Sequence, residues 1–150
     1  MSEMTLAKII YASMTGNTEE ISEILEDQFS SLGIEVERVN ADDAQEDFFE
    51  DADICVVATY TYDEGQFPFE LEDFYDDLFD QELSGKVYGV VGSGDSELYP
   101  EFFCDAAINF DYAFSKTGAI QGHEVVKIEN DAEDEDKIRL QEFVKSLANT

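Results

Sequence analysis

The chain carries little sulfur, one imidazole and almost no positive charge. Its two cysteines, Cys55 and Cys104, and its single histidine, His123, are too few for a four-ligand zinc site. Nor do they make a disulfide framework. Tryptophan is absent, and the only prolines are Pro68 and Pro100. Eight Lys and Arg stand against 37 Asp and Glu, a formal net charge of −29. Phosphate backbones and anionic lipid surfaces repel such a molecule, so neither nucleic acid nor a membrane is an expected partner. A partner that reads this surface should be basic. No apolar run approaches the ~18 residues of a membrane-spanning helix. Met1–Thr5 has no basic stretch leading into an apolar one, so no secretory signal is expected and the location expected is cytoplasmic. No D-x-D-x-D-G loop argues for a calcium site.

What remains is the alternation of apolar runs with amphipathic segments in 150 residues, 43% of them hydrophobic and 13% aromatic. That is one domain with a real core rather than a disordered acidic chain. Leu6–Ala12, Ile34–Val39, Asp53–Tyr60, Lys86–Gly92 and His123–Ile128 read as strands. Helical spacing joins Ile21, Ile24, Leu25, Phe29 and Leu32, with Gly33 as a C-cap, and recurs over Phe69–Phe79, Phe102–Thr117 and Ala132–Leu147. About five helices are expected. Strands of this apolar, β-branched kind alternating with helices predict a parallel sheet covered on both faces. Ligands in such sheets sit outside the carboxyl ends of the strands. The loops to inspect are therefore Ser13–Thr18, Thr59–Pro68 and Gly92–Cys104, which are also rich in hydroxyls, glycines and aromatics.

The first loop reads Ser13-Met14-Thr15-Gly16-Asn17-Thr18. It offers three hydroxyls, an amide, a glycine and the free N–H groups of a helix start, a suitable cradle for an anion. It has no Lys or Arg, so the Gly-Lys-Ser/Thr ending of a nucleotide triphosphate loop is missing. A terminal monophosphate held by neutral donors fits better. A helix merely capped by Asn17 or Thr18 would look much the same.

A strand ending in this Ser-x-Thr-Gly-x-Thr loop resembles the flavodoxin family, whose loop holds the phosphate of FMN. The resemblance extends over the whole chain. Gly94-Asp95-Ser96, then Tyr99, then Phe102-Phe103-Cys104 is similar to the family's third-loop segment, and Thr61-Tyr62-Asp63 sits where the family commonly has Thr-Trp-Gly. The resemblance implies a three-layer α/β fold with a five-stranded parallel sheet in the family's known order, 2-1-3-4-5. It implies FMN as cofactor, with the phosphate on Ser13, Met14, Thr15, Gly16, Asn17 and Thr18. The ring would lie among Thr59, Tyr60, Thr61, Tyr62, Asp63 and Gly65 on one side. Ser93, Gly94, Asp95, Tyr99, Phe102, Phe103 and Cys104 would take the other. Tyr99 would stack coplanar on the ring, Tyr62 would cover its inner face, and backbone groups near Asp95, Phe102 and Cys104 would meet the pyrimidine edge. The chain departs from the pattern in having Tyr62 for the usual indole, Asp63 for the turn glycine and a longer stretch between Ser96 and Phe102. No insertion of the long-chain kind is expected in the last strand, because His123–Ile128 leads directly to the last helix.

The function implied is a low-potential one-electron carrier, not an enzyme with its own substrate. Between Arg38 and Lys86 there are 16 carboxylates and no basic residue, nine of them in Asp63–Glu82. Carboxylates rimming the cofactor mouth disfavour the extra negative charge of fully reduced flavin and steer a basic partner to its edge. A solvated helix face or adaptation to salt would give the same charge without a partner. The expected partners are basic-surfaced redox proteins, a flavodoxin reductase and acceptor enzymes, with the chain monomeric. The alternative is a flavodoxin-like accessory flavoprotein that activates one enzyme, of the ribonucleotide reductase activator type. A phospho-receiver domain would need acids where Ser13-Met14-Thr15 and Ala58-Thr59-Tyr60 stand, and a low-mass tyrosine phosphatase would need a cysteine after strand one. Cys55 reads as core, Cys104 as structural and His123 as a surface residue without a catalytic role.

Overall fold

A computed structural model of the chain describes residues 6–12, 17–43, 48–60, 72–94, 105–129 and 133–149. Strand β1 (Leu6–Tyr11) leads to α1 (Asn17–Ser31), β2 (Glu35–Asn40) and a short 3-10 turn (Ala41–Asp43). Then follow β3 (Ile54–Tyr60), α2 (Glu72–Leu78), β4 (Val87–Gly94), α3 (Asp105–Ser115), β5 (Ile120–Gln121), β6 (Val126–Glu129) and α4 (Asp134–Ala148). Every strand pairing is parallel, and the order is β2-β1-β3-β4 with β5 and β6 both on the far edge of β4. This is the 2-1-3-4-5 order that the family resemblance implied.

Side chains alternate across the sheet and so build two cores. Ala7, Ile9, Ile54, Val56, Val87 and Val91 pack against α1 and α4 through Ile21, Leu25, Phe29, Phe143 and Leu147. Ile10, Cys55, Val57, Tyr88 and Val90 pack against α2, α3 and the segment carrying Phe48 and Phe49. Ile21, Leu25 and Phe29 recur every four residues along α1 and are fully buried, which is why that stretch is helical and why it lies on the sheet. Helix α1 stops at Gly33, whose φ of +80° favours glycine. There the N–H of Ile34 reaches back to the Phe29 carbonyl (3.2 Å) and that of Gly33 to the Ser30 carbonyl (3.0 Å), a Schellman ending.

The fifth strand position differs from the sequence expectation. It starts at Ile120 rather than His123, and it is broken. Gln121 pairs with Tyr88 and Val126 with Val91, so four residues, 122–125, stand opposite two, Gly89 and Val90. The two extra residues bulge out, and the His123 ring lies edge-on to Phe143 (5.5 Å). A short excess of this size, not an inserted segment, splits the strand. The remaining expected elements shift by a few residues, and the described part holds four α-helices plus the 3-10 turn.

Candidate functional site

The sheet sets the site by ending β1, β3 and β4 together. The Ala12 N–H still bonds the Ala58 carbonyl at 3.1 Å, so the ladder runs to the last residue before the first loop. Thr59 pairs with Gly92 and Tyr60 with Ser93, so β3 and β4 end side by side.

Of the residues expected to hold a cofactor, six fall in the described part. Asn17 is the first residue of α1, Tyr60 the last of β3 and Gly94 the last of β4. Thr18, Thr59 and Ser93 are buried at the same end of the sheet. Ser13, Met14, Thr15, Gly16, Thr61, Tyr62, Asp63, Gly65, Asp95, Tyr99, Phe102, Phe103 and Cys104 lie outside the described residues.

The structure joins two of the loops directly. Thr18 Oγ1 lies 2.9 Å from Ser93 Oγ, with Thr18 only 2% and Ser93 4% exposed. The first turn of α1 is thereby tied across the sheet to the end of β4.

A second set of contacts, which the sequence reading missed, fixes that turn from the other side. The Tyr11 hydroxyl donates to Glu19 Oε2 (3.2 Å), and the Arg38 guanidinium lies 5.0 Å from the Tyr11 ring centre. Arg38 also donates to Ser22 Oγ (3.2 Å) and pairs with Glu26 (3.3 Å), while Ser22 Oγ donates to the Glu19 carbonyl (2.6 Å). Tyr11 stands two positions before the first loop, and Arg38 is the only arginine before Arg139. Those two facts were visible in the sequence, but their meeting needs the β1–β2 pairing.

Apart from Arg38, which is engaged by Ser22 and Glu26, the chemistry of this end is hydrogen bonding by neutral groups. No Lys or Arg occurs in the first turn of α1 or among the last residues of β1, β3 and β4. Buried hydroxyls at the start of a 15-residue helix can hold an anion by directed donors and the helix dipole. That donor set suits a phosphate monoester. Among the described residues the one thiol is not available for chemistry there: Cys55 is buried in β3, and burial pushes its thiol up to about 12. The His123 Nδ1 is bonded to the Glu124 carbonyl (2.7 Å), at the far edge of the sheet. Acidic side chains continue beyond the second loop, where Asp76, Asp80 and Glu82 are exposed on and just after α2. Among the described residues, no helix is long and apolar enough to cross a membrane.

Comparison with known proteins gives the same picture. Residues 9–142 match the flavodoxin family. Probable flavodoxin 2 of Bacillus subtilis (strain 168) is 36% identical over 148 residues, covering 95% of each chain. A flavodoxin of Streptococcus pneumonia TIGR4 superposes with a TM-score of 0.92 at 50% identity, covering 97% of this chain and 99% of that one. A short-chain flavodoxin associated with a PDU bacterial microcompartment superposes with a TM-score of 0.94 at 45% identity, covering 97% and 98%.

Proposed function

The chain belongs to the flavodoxin family, and from that membership we propose that it is a low-potential one-electron carrier working between a reductase and acceptor enzymes. Flavodoxins are FMN-dependent electron-transfer proteins without substrate turnover of their own. FMN supplies the one-electron chemistry when bound. The chain's residues hold it, orient it and bias its charge.

In this reading residues 1–150 form one FMN-binding domain that works as a cytoplasmic monomer. Ser13, Thr15, Asn17 and Thr18 hold the phosphate, with Met14 and Gly16 shaping the loop. Tyr62 and Tyr99 cover the two ring faces, flanked by Thr59, Tyr60, Thr61, Asp63 and Gly65. Ser93, Gly94, Asp95, Phe102, Phe103 and Cys104 complete the third loop. The observation that carries the phosphate assignment is the buried pair of hydroxyls, Thr18 and Ser93, where neither the first turn of α1 nor the end of β4 contributes a Lys or Arg. Neutral donors at a helix start bind a monophosphate well and give no grip on a triphosphate. A flat aromatic ring needs aromatic faces as well as backbone donors at its polar edge, and the tyrosines answer the first need.

Reconstitution of the apoprotein tests this. FMN should bind one to one, and the mass of cofactor released from the purified protein should be that of FMN; FAD, or no flavin uptake, overturns the reading. Tyr99→Ala and Tyr62→Ala should each weaken FMN binding by roughly 1–3 kcal/mol, the loss expected when aromatic burial is removed. Unchanged affinity in both variants would mean that the ring sits elsewhere.

A further inference from the structure

A hydroxyl pair leaves its direction open, and here the direction has a consequence. Each hydroxyl has one proton to donate and two lone pairs to accept. If Thr18 donates to Ser93, its only proton is spent inside the protein. If Ser93 donates, the Thr18 proton is free. A phosphate dianion accepts hydrogen bonds and donates none, so the Thr18 hydroxyl can serve it only in the second arrangement. Resting on the reading above that Thr18 belongs to a phosphate subsite, we propose that Ser93 is the positioning residue of that subsite. Its hydroxyl donates to Thr18 Oγ1 and turns the Thr18 O–H toward the phosphate, while the Ser93 hydroxyl itself does not touch the phosphate.

Three observations support this division of roles. The oxygens are 2.9 Å apart, hydrogen-bond distance, and both residues are nearly sealed from water, so solvent does not readily substitute for either partner. Ser93 is held on both sides of its strand, level with Tyr60 on β3 and Ile128 on β6. Thr18 stands in the first turn of a helix, where threonine splits between two side-chain rotamers. The fixed strand residue therefore selects the rotamer of the freer helical one. A donor chain running Ser93 to Thr18 to phosphate also strengthens its terminal bond, since each hydroxyl polarises the next.

A residue that acts only through another has a distinctive signature in paired variants. FMN affinity is measured for Thr18→Val, Ser93→Ala and the double variant. Inorganic phosphate serves as a second probe, read as the rise in thermal midpoint of the apoprotein over sodium chloride at matched ionic strength. Ser93→Ala should weaken FMN roughly 5- to 10-fold, the scale of one net hydrogen bond, and reduce the phosphate effect. Ser93→Thr, which keeps the hydroxyl, should restore most of the affinity. Thr18→Val should cost more than Ser93→Ala, and adding Ser93→Ala to it should change little further. The proposal is overturned if Ser93→Ala costs as much in the Thr18→Val background as in wild type, or if it leaves both probes unchanged. If Thr18→Val itself moves neither probe, the phosphate subsite is misplaced, and the proposal falls with it.

Discussion

Lys8 lies inside β1 with only its end near water. Its ammonium pairs with Asp51 at 2.6 Å and Glu37 at 3.2 Å, and its Nζ lies 4.9 Å from the Phe48 ring centre. Burial alone would lower its pKa, but hydrogen bonds to Asp51 and Glu37 outweigh that and raise it above the ordinary 10.5. The same bond holds Asp51 below the ordinary 3.8. The linkage has two limbs. The Lys8 contribution is complete below about pH 10.5 and is lost as pH rises through the raised value. The Asp51 contribution is complete above about pH 4 and is lost as pH falls through the lowered one. Lys8→Met keeps the apolar stem against Phe48 and removes the charge. Both carboxylates are solvent-exposed, so neither is stranded in the core. The fall in urea midpoint between neutral pH and about pH 3 should be smaller in the variant than in wild type, because Asp51 no longer resists protonation. Equal falls would show that the pair does not bias Asp51 in solution.

Among the elements, β4 and α4 pack closely enough to require a glycine. A Cβ placed on Gly89 would lie 2.5 Å from Phe143 Cζ and 3.0 Å from Leu147 Cδ1. Glycine lets α4 rest on the sheet, and Gly89→Ala should cost ~1–3 kcal/mol through overpacking. Chemical denaturation should show that loss and its partial recovery in Gly89→Ala with Phe143→Leu; a neutral Gly89→Ala would mean that α4 moves away freely. The sequence disclosed this helix and strand but not their contact. The apolar runs of β1, β3 and β4 were legible because both faces of each strand are covered, and α1 because its buried stripe ends at a left-handed glycine. β6 was legible over Val126–Ile128, but β5 was not, because Ile120 is 52% exposed and Gln121 is polar, and Gly122 after them looks like a turn. What qualifies them as strand is hydrogen bonding to β4, including Gly122 N–H to the Tyr88 carbonyl (3.0 Å). The candidate site was read from loop composition at strand ends, and only six of its residues lie in the described part. The Thr18–Ser93 bond was not, since 75 residues separate its partners and only the sheet order brings them together. Tyr11 and Arg38 escaped notice for the same reason.

For the whole molecule, the dominant quantity is a net charge of −29 on 150 residues. It acts on two observables with opposite signs. Within the folded chain the charges repel, so screening should stabilise the protein and its urea midpoint should rise with sodium chloride. Toward a basic redox partner the charges attract, so screening should slow the encounter. The Debye length shrinks from about 30 Å at 0.01 M salt to about 8 Å at 0.15 M, and steering across solvent fades over that range. The second-order rate of electron transfer to a basic one-electron acceptor protein, followed by stopped-flow absorbance, should therefore fall as ionic strength rises. The exposed carboxylates Asp76, Asp80 and Glu82 on and just after α2, the helix that follows the second loop, make this more than a net-charge effect. Neutralising them as Asp76→Asn, Asp80→Asn and Glu82→Gln should flatten the salt dependence more than neutralising three exposed acids on α4, Asp134, Glu135 and Glu142. Equal flattening from both sets would mean that total charge steers the partner. A rate that holds or rises with salt, beside a midpoint that rises, would assign the acidity to solubility and leave the docking surface elsewhere.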